Sequence, residues 1–213
     1  MKLFLRFIFP ALFIFCCLFL LESCERKFKV LDSKKKKVES LSVNVENLIG
    51  TLSVFGEKRY LVEVKNFGFM GDISTNFDGS NLSISLKNLS GETRLILNNK
   101  RKINFDALIT GGNLKVYGSK LNFERMYFDI NGGALDIDLH NPLNLIISNN
   151  VGNVKIRILK YLPVRLRLSS VASLLNIPEE FVLSNGIFYY LESESNFIDM
   201  DIYVKMGSVE ISF

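Results

Sequence analysis

The sequence predicts an all-β chain: a single-domain, right-handed parallel β-helix (solenoid) of about eight rungs, with an irregular insert or hairpin before the last rung. Three observations predict it. Glycine-centred turns recur about every twenty residues from Leu41 onward, and apolar residues alternate with polar ones on both sides of each turn. The composition also favours strands: Phe is abundant (18), Trp is absent and β-branched residues are common. An apolar share of 48% over 213 residues supports a sizeable core.

Residues 1–23 read as a signal peptide or anchor. Lys2 and Arg6 precede an apolar run, Phe7 to Leu21, whose 15 residues suit an export signal. That run is shorter than the roughly 20 residues a spanning helix needs, although Leu3 to Leu21 just reaches if Arg6 snorkels. It ends in Leu21-Glu22-Ser23-Cys24, which resembles the lipobox of bacterial lipoproteins. Leu21 and Ser23 match that motif; Glu22 stands where a small residue is usual. The resemblance implies lipid attachment at Cys24 and an exported, membrane-tethered place in the cell envelope. An uncleaved anchor and ordinary cleavage remain as alternatives.

Residues 24–40 form a lysine-rich stretch without periodicity, read as a solvated tether whose other use would be contact with anionic head groups. Its seven basic residues follow the apolar run, where the positive-inside rule opposes export. Residues 1–40 hold nine basic and four acidic residues, leaving 17 and 18 for the remainder, so the net charge of +4 belongs to the leader and tether. The body lacks the basic excess that a nucleic-acid partner requires. All three cysteines, Cys16, Cys17 and Cys24, precede residue 25, which excludes a disulfide framework from the body.

The domain spans residues 41–213. Gly50, Gly71, Gly91, Gly112, Gly133 and Gly152 lie 21, 20, 21, 21 and 19 residues apart; Ala172 is the small-residue counterpart, and Gly207 resumes the series. Leu41, Val43 and Val45 precede Gly50, and Leu52 and Val54 follow it; Gly133 and Gly152 have the same flanks. Each unit is too small to bury its own apolar face, so units must stack. At about 4.8 Å per level, eight would make a column roughly 38 Å long. An antiparallel sandwich is the competing architecture, since turns near every ten residues suit hairpins as well.

Residues 175–197 break the rhythm. Asn176-Ile177-Pro178 ends a strand, and Phe181 to Leu191 reads as a hairpin with Asn185-Gly186 at its tip. The last strand runs into Phe213, so the terminal rung is expected to stand uncovered and offer strand addition to a protein partner or a second copy.

The repeats resemble the toast-rack family of adhesin-like bacterial β-solenoids. The last third, through VGNVKIRI (Val151 to Ile158), LPVRLRLSSVASLLNIP (Leu162 to Pro178) and IDMDIYVKMGSVEISF (Ile198 to Phe213), is similar to the C-terminal domain of the cell-wall-active-antibiotic response proteins. The resemblance implies an envelope-facing interaction, stress-sensing or scaffold role and brings no catalytic residues.

Little in the chain points to chemistry. His140 is the only histidine, which excludes multi-histidine metal sites. Asp136, Asp138 and His140 alternate along one strand and share a face; a divalent cation is one reading, a solvated face the stronger one. Lys155, Arg157, Arg165 and Arg167 suggest a basic stripe for phosphate-rich polymers, against the same solvated alternative. No phosphate-binding, nucleophile-elbow or zinc-protease motif is present, and no cofactor is expected. The reading is therefore a non-enzymatic envelope protein; a carbohydrate-active β-helix enzyme is the alternative, recognisable by acidic residues clustered in a groove.

Overall fold

The computed structural model describes residues 26–31, 37–68, 71–191, 193 and 196–213. The leader, Cys24 and most of the lysine run therefore lie outside the described residues. What is described is all-β, with one 3-10 turn at Gly118–Lys120, and its sixteen strands join one mixed sheet.

The repeat units become bent pairs of strands. β2 (Ser40–Leu48) leads into β3 (Thr51–Glu57), β6 (Asn81–Lys87) into β7 (Glu92–Asn98), β8 (Lys102–Ile109) into β9 (Gly112–Val116) and β10 (Asn122–Ile130) into β11 (Gly133–Leu139). β12 (Asn144–Ile158), β13 (Val164–Asn176) and β16 (Ile198–Ser212) each carry both arms in one continuous strand. First arms pair in parallel in the order β6, β2, β8, β10, β12, β16, β13. Second arms follow the same order from β7 through β3, β9 and β11. Neighbouring units run in the same direction, as stacking demands and a sandwich does not.

Two expectations need correction. The stack has seven such levels among the described residues, and the sheet is mixed because antiparallel strands close both ends. β4 (Tyr60–Phe67) pairs antiparallel with β7, β1 (Arg26–Leu31) with β4, and β5 (Ile73–Asp78) with β6. Thus the unit around Gly71 is no rung. Its outer half fails the burial test, since β5 is exposed from Ser74 to Asp78. At the other end β15 (Ile187–Tyr190) pairs antiparallel with β13 and with β14 (Val182–Ser184), the hairpin turning at Asn185-Gly186. β1 lies within the stretch read as tether.

Spatial order also departs from chain order. β2 and β3 sit between the β6–β7 and β8–β9 levels, and β16 sits between β12 and β13. Phe213 therefore ends an interior strand. The level that stands at the edge is β13.

Inward residues of every level form one core. Leu41, Val43, Val45, Leu52 and Val54 are buried, as are their counterparts through Ile211. Each large aliphatic contributes about 1.5–3 kcal/mol relative to an exposed one. Phe105 anchors the middle, with ring centres 6.3 Å from Phe123 and 6.0 Å from Phe128. Phe181, Tyr190 and Phe213 close the core beside β13, with Phe213 4.1 Å from the Tyr190 ring.

The bend explains the glycines. Gly112 faces Gly133, and Gly152 faces Gly207 across the ladder, continuing a column that includes Gly91 and Gly50. A β-carbon on Gly152 would lie 2.5 Å from the Gly133 carbonyl oxygen, closer than any side chain tolerates. Ser173, not Ala172, pairs with Gly207. Beside the glycines, Asn88, Asn47 and Thr110 link side chain to side chain at 2.9 and 2.8 Å, and Asn150 donates to Asn131 at 2.7 Å.

Candidate functional site: the open edge of the column

The residues singled out in the sequence meet one another. Asp136 and Asp138 lie on β11; Asp138 accepts from Arg157 on the neighbouring β12 at 2.5 Å, and the same guanidinium ion-pairs with Asp136 at 2.6 Å. His140 lies just past that strand. Among the described residues no three His, Cys, Asp or Glu side chains gather as a metal would require, and no acidic trio lines a groove. The basic stripe is likewise neutralised. Lys155 bonds Glu210 at 2.7 Å, Arg165 clasps Asp199 through two bonds of 3.0 and 2.5 Å, and Arg167 bridges Asp199 at 3.0 Å and Asp201.

These pairs follow from register. β13 runs Val-Arg-Leu-Arg and β16 runs Ile-Asp-Met-Asp, and the ladder sets Arg165 against Asp199 and Arg167 against Asp201. Opposite charges directly across a ladder contribute roughly 0.2–1 kcal/mol each. Hydrogen bonds from Arg165, followed by those from Arg167, hold the Asp199 carboxyl below the usual range; bonding to Asp201 raises Arg167 despite partial desolvation. The matched spacing of the two charge pairs was the sequence signal that would have found this ladder.

A cleft of about 490 Å³ lies near the opposite end, lined by Lys29, Phe55, Tyr60, Glu63, Lys65 and Lys120 among others. Glu63 is buried at its floor, bonded to Lys29 at 2.9 Å; Lys29 also donates to the Tyr60 hydroxyl at 3.3 Å. Bonding to Glu63 raises the Lys29 ammonium. The cleft thus fastens β1 to β4 through its own charges.

The unsatisfied feature is the outer edge of β13. β15 covers it only from Val164 to Leu166, and among the described residues no strand pairs with the rest of that side. The uncovered backbone carries Val171 at 70% exposure and Leu174 at 79%, with Leu175 exposed beside them. Met206 of β16, opposite Ala172, is exposed as well, as are Val182 and Leu183 of the hairpin. Residues 168–176, Leu-Ser-Ser-Val-Ala-Ser-Leu-Leu-Asn, contain no charge. By contrast β1, which ends the other side of the sheet, carries Lys27 and Lys29, the usual protection of an edge.

No family model matches the chain, and no curated protein does. Among solved structures, its fold recurs. A crystal structure from Clostridium sporogenes ATCC 15579, provisionally named a cell adhesion protein, superposes with a TM-score of 0.75 at 16% identity, over 89% of this chain and 98% of that one. At that identity the likeness is one of fold. Two provisionally named adhesins, from Bacteroides fragilis NCTC 9343 and Parabacteroides distasonis ATCC 8503, align with TM-scores of 0.31 and 0.28 at 11% and 10% identity. They cover 87% and 89% of this chain, and 96% and 98% of theirs. No helix among the described residues is long and apolar enough to cross a membrane.

Proposed function

We propose that this chain is a non-enzymatic cell-envelope protein, tethered to a membrane at its N-terminus and offering a β-solenoid surface to protein partners in adhesion, envelope-stress sensing or assembly. The observation that carries the reading is polarity along the column. β1, which follows the leader, and β13, which bears the open edge, stand at opposite ends of the path β1–β4–β7–β3–β9–β11–β12–β16–β13. Eight inter-strand steps of about 4.8 Å hold them roughly 38 Å apart. An edge at that distance from the attachment point is free to receive an extended segment of another protein by strand addition.

Within this reading residues 1–23 are the signal or anchor and Cys24 is the acylated residue; of the 24–40 stretch read as tether, Arg26–Leu31 joins 41–213 in the binding domain as β1. The parallel levels form a right-handed β-helix, the hand that nearly all parallel crossovers take. The name of the Clostridium sporogenes structure fits an adhesive role. Asp136, Asp138, Asp199 and Asp201 are each ion-paired with an arginine, so these four do not present the free carboxylate pair that a glycoside-cleaving site uses.

The test is to express the full chain in a bacterial host, extract it from membranes and weigh its N-terminus. Cleavage before Cys24 with the added mass of acyl chains is expected. A Leu174→Cys variant should react with a membrane-impermeant maleimide once the outer barrier is opened. Unmodified full-length chain in the cytosol, unlabelled until lysis, would refute the proposal.

A further inference from the structure

One row of side chains crosses the outer face of the second arms, and the ladders fix its order. From the β1 end it begins Lys27, Lys65, Arg94. After Ser53 it continues Lys115, Asp136, Lys155 and Glu210, alternating in sign. At the β1 end the signs do not alternate: Lys27 faces Lys65, and Lys65 faces Arg94. Like charges directly opposed destabilise a sheet. Among the described residues, every other charged pair set opposite across a ladder joins unlike signs, as Glu46 with Lys87 and Arg165 with Asp199.

Nearby carboxylates do not balance this corner. Arg94 bonds Glu92 at 3.0 Å, and Lys65 comes only to 3.9 Å from Glu63, which Lys29 holds at 2.9 Å. The adjoining cleft of about 490 Å³ adds Arg59 and Lys120 against Glu57. Even with Lys27 left aside, five cations (Lys29, Arg59, Lys65, Arg94 and Lys120) stand against the carboxylates of Glu57, Glu63 and Glu92. Lys29 and Arg59 lie over the Tyr60 ring, 4.7 and 5.1 Å from its centre. The cleft falls within the roughly 300–1,000 Å³ of ligand sites, and its rim is positive.

We propose that this corner seats the phosphates of anionic phospholipid head groups, in the membrane to which the chain is tethered. This rests on the proposed tethering and adds the surface that meets the bilayer. Cys24 stands two positions before Arg26, so an acyl anchor there holds the start of β1 within about 7 Å of the lipid. With β1 against the bilayer, β4 and β7 follow at about 4.8 and 9.6 Å. That is the scale of the roughly 8 Å over which a charged surface acts in physiological salt. Lys115 lies four strand spacings along the row, about 19 Å out. The row changes from like to alternating signs where the field of the membrane fades. A soluble phosphate needs the cleft alone and leaves Lys27 beside Lys65 unexplained, whereas a bilayer meets the row and the cleft together.

The experiment places the full chain in vesicles of phosphatidylcholine, alone or with an equal share of phosphatidylglycerol. Lysines are acetylated with an uncharged reagent and read peptide by peptide. Lys27, Lys65 and Lys120 should react about fivefold more slowly in the anionic vesicles, the factor that one basic contact contributes, while Lys115 and Lys155 keep their rates. In about 1 M salt, where the screening length falls to about 3 Å, the protection should vanish. Lys65→Glu should remove the protection of Lys27 and Lys120 without lowering Tm in uncharged vesicles, since it eases the crowding; Lys205→Glu should leave the protection intact. Equal reactivity of Lys65 in both vesicles overturns the proposal, as does equal slowing of Lys155, or the same protection from inorganic phosphate in phosphatidylcholine vesicles. An acylated N-terminus with Lys65 equally reactive sinks the head-group surface alone. An unacylated chain that floats with anionic vesicles and protects Lys65 upholds the surface and sinks the anchor.

Discussion

Gly207 stacks on Gly152: the two pair across the β12–β16 ladder, and a methyl group on Gly207 would press against the Gly152 carbonyl oxygen, well inside van der Waals contact. Gly207 also has φ +126, a conformation costly for any side chain. The bend of each level thus depends on backbone touching backbone.

Two adjacent glycines separate this cause from general flexibility. A β-carbon at Gly112 would collide with the Gly50 carbonyl, whereas one at Gly111 meets nothing within 4 Å. Gly112→Ala should destabilise by at least about 2 kcal/mol, and Gly111→Ala should change stability by less than about 1 kcal/mol. Urea unfolding midpoints of the two variants provide the comparison.

Phe105 tests the core. It is fully buried and touches both other central rings, Phe123 and Phe128. Phe105→Ala should cost about 3–5 kcal/mol, because close-packed levels cannot collapse into the space left. Thermal unfolding would report it as a clear loss of Tm.

Acid should weaken the β13–β16 ladder. The folded Asp199 carboxyl is held below its unfolded value, near 3.9, by Arg165 and Arg167. Its contribution is therefore complete above about pH 4 and disappears as pH falls through the lowered folded value. Asp199→Asn should be less stable than the parent at pH 7 and lose less on acidification. Denaturant midpoints measured from pH 7 to pH 2.5 decide it.

Lys29 fastens β1 through Glu63 and Tyr60. Lys29→Ala should speed amide exchange across residues 26–31 and leave the β8–β12 amides protected. Equal acceleration in both regions would argue against a local fastening.

The stacking of units was legible in the sequence because its causes are local. Alternation marks which side of a strand is inward, and the glycine contact recurs once per level. The order of levels was not legible, since β6 and β8 offer β2 nearly equivalent apolar faces and only three-dimensional closure selects the arrangement. A spacing of twenty from Gly152 points to Ala172 as the small-residue counterpart, whereas the ladder sets Ser173 opposite Gly207; among the described residues no neighbour crowds the outer side of this level, so a serine side chain is tolerated. Chain order alone places the open edge at Phe213, yet β16 pairs on both sides, with β12 and with β13. A terminal position in the chain gives no sign that β16 slips beneath β13.

That interleaving changes how the molecule can be shortened or assembled. In an ordinary stack, deleting the outermost repeat leaves a shorter version of the same object. Here, cutting away Ile198–Ser212 removes a middle plank: among the described residues β13 loses the strand that pairs with both of its arms, and that side of β12 is laid bare. The two ends of the fold are consequently stitched to its centre, and the chain should unfold as one cooperative body instead of fraying repeat by repeat.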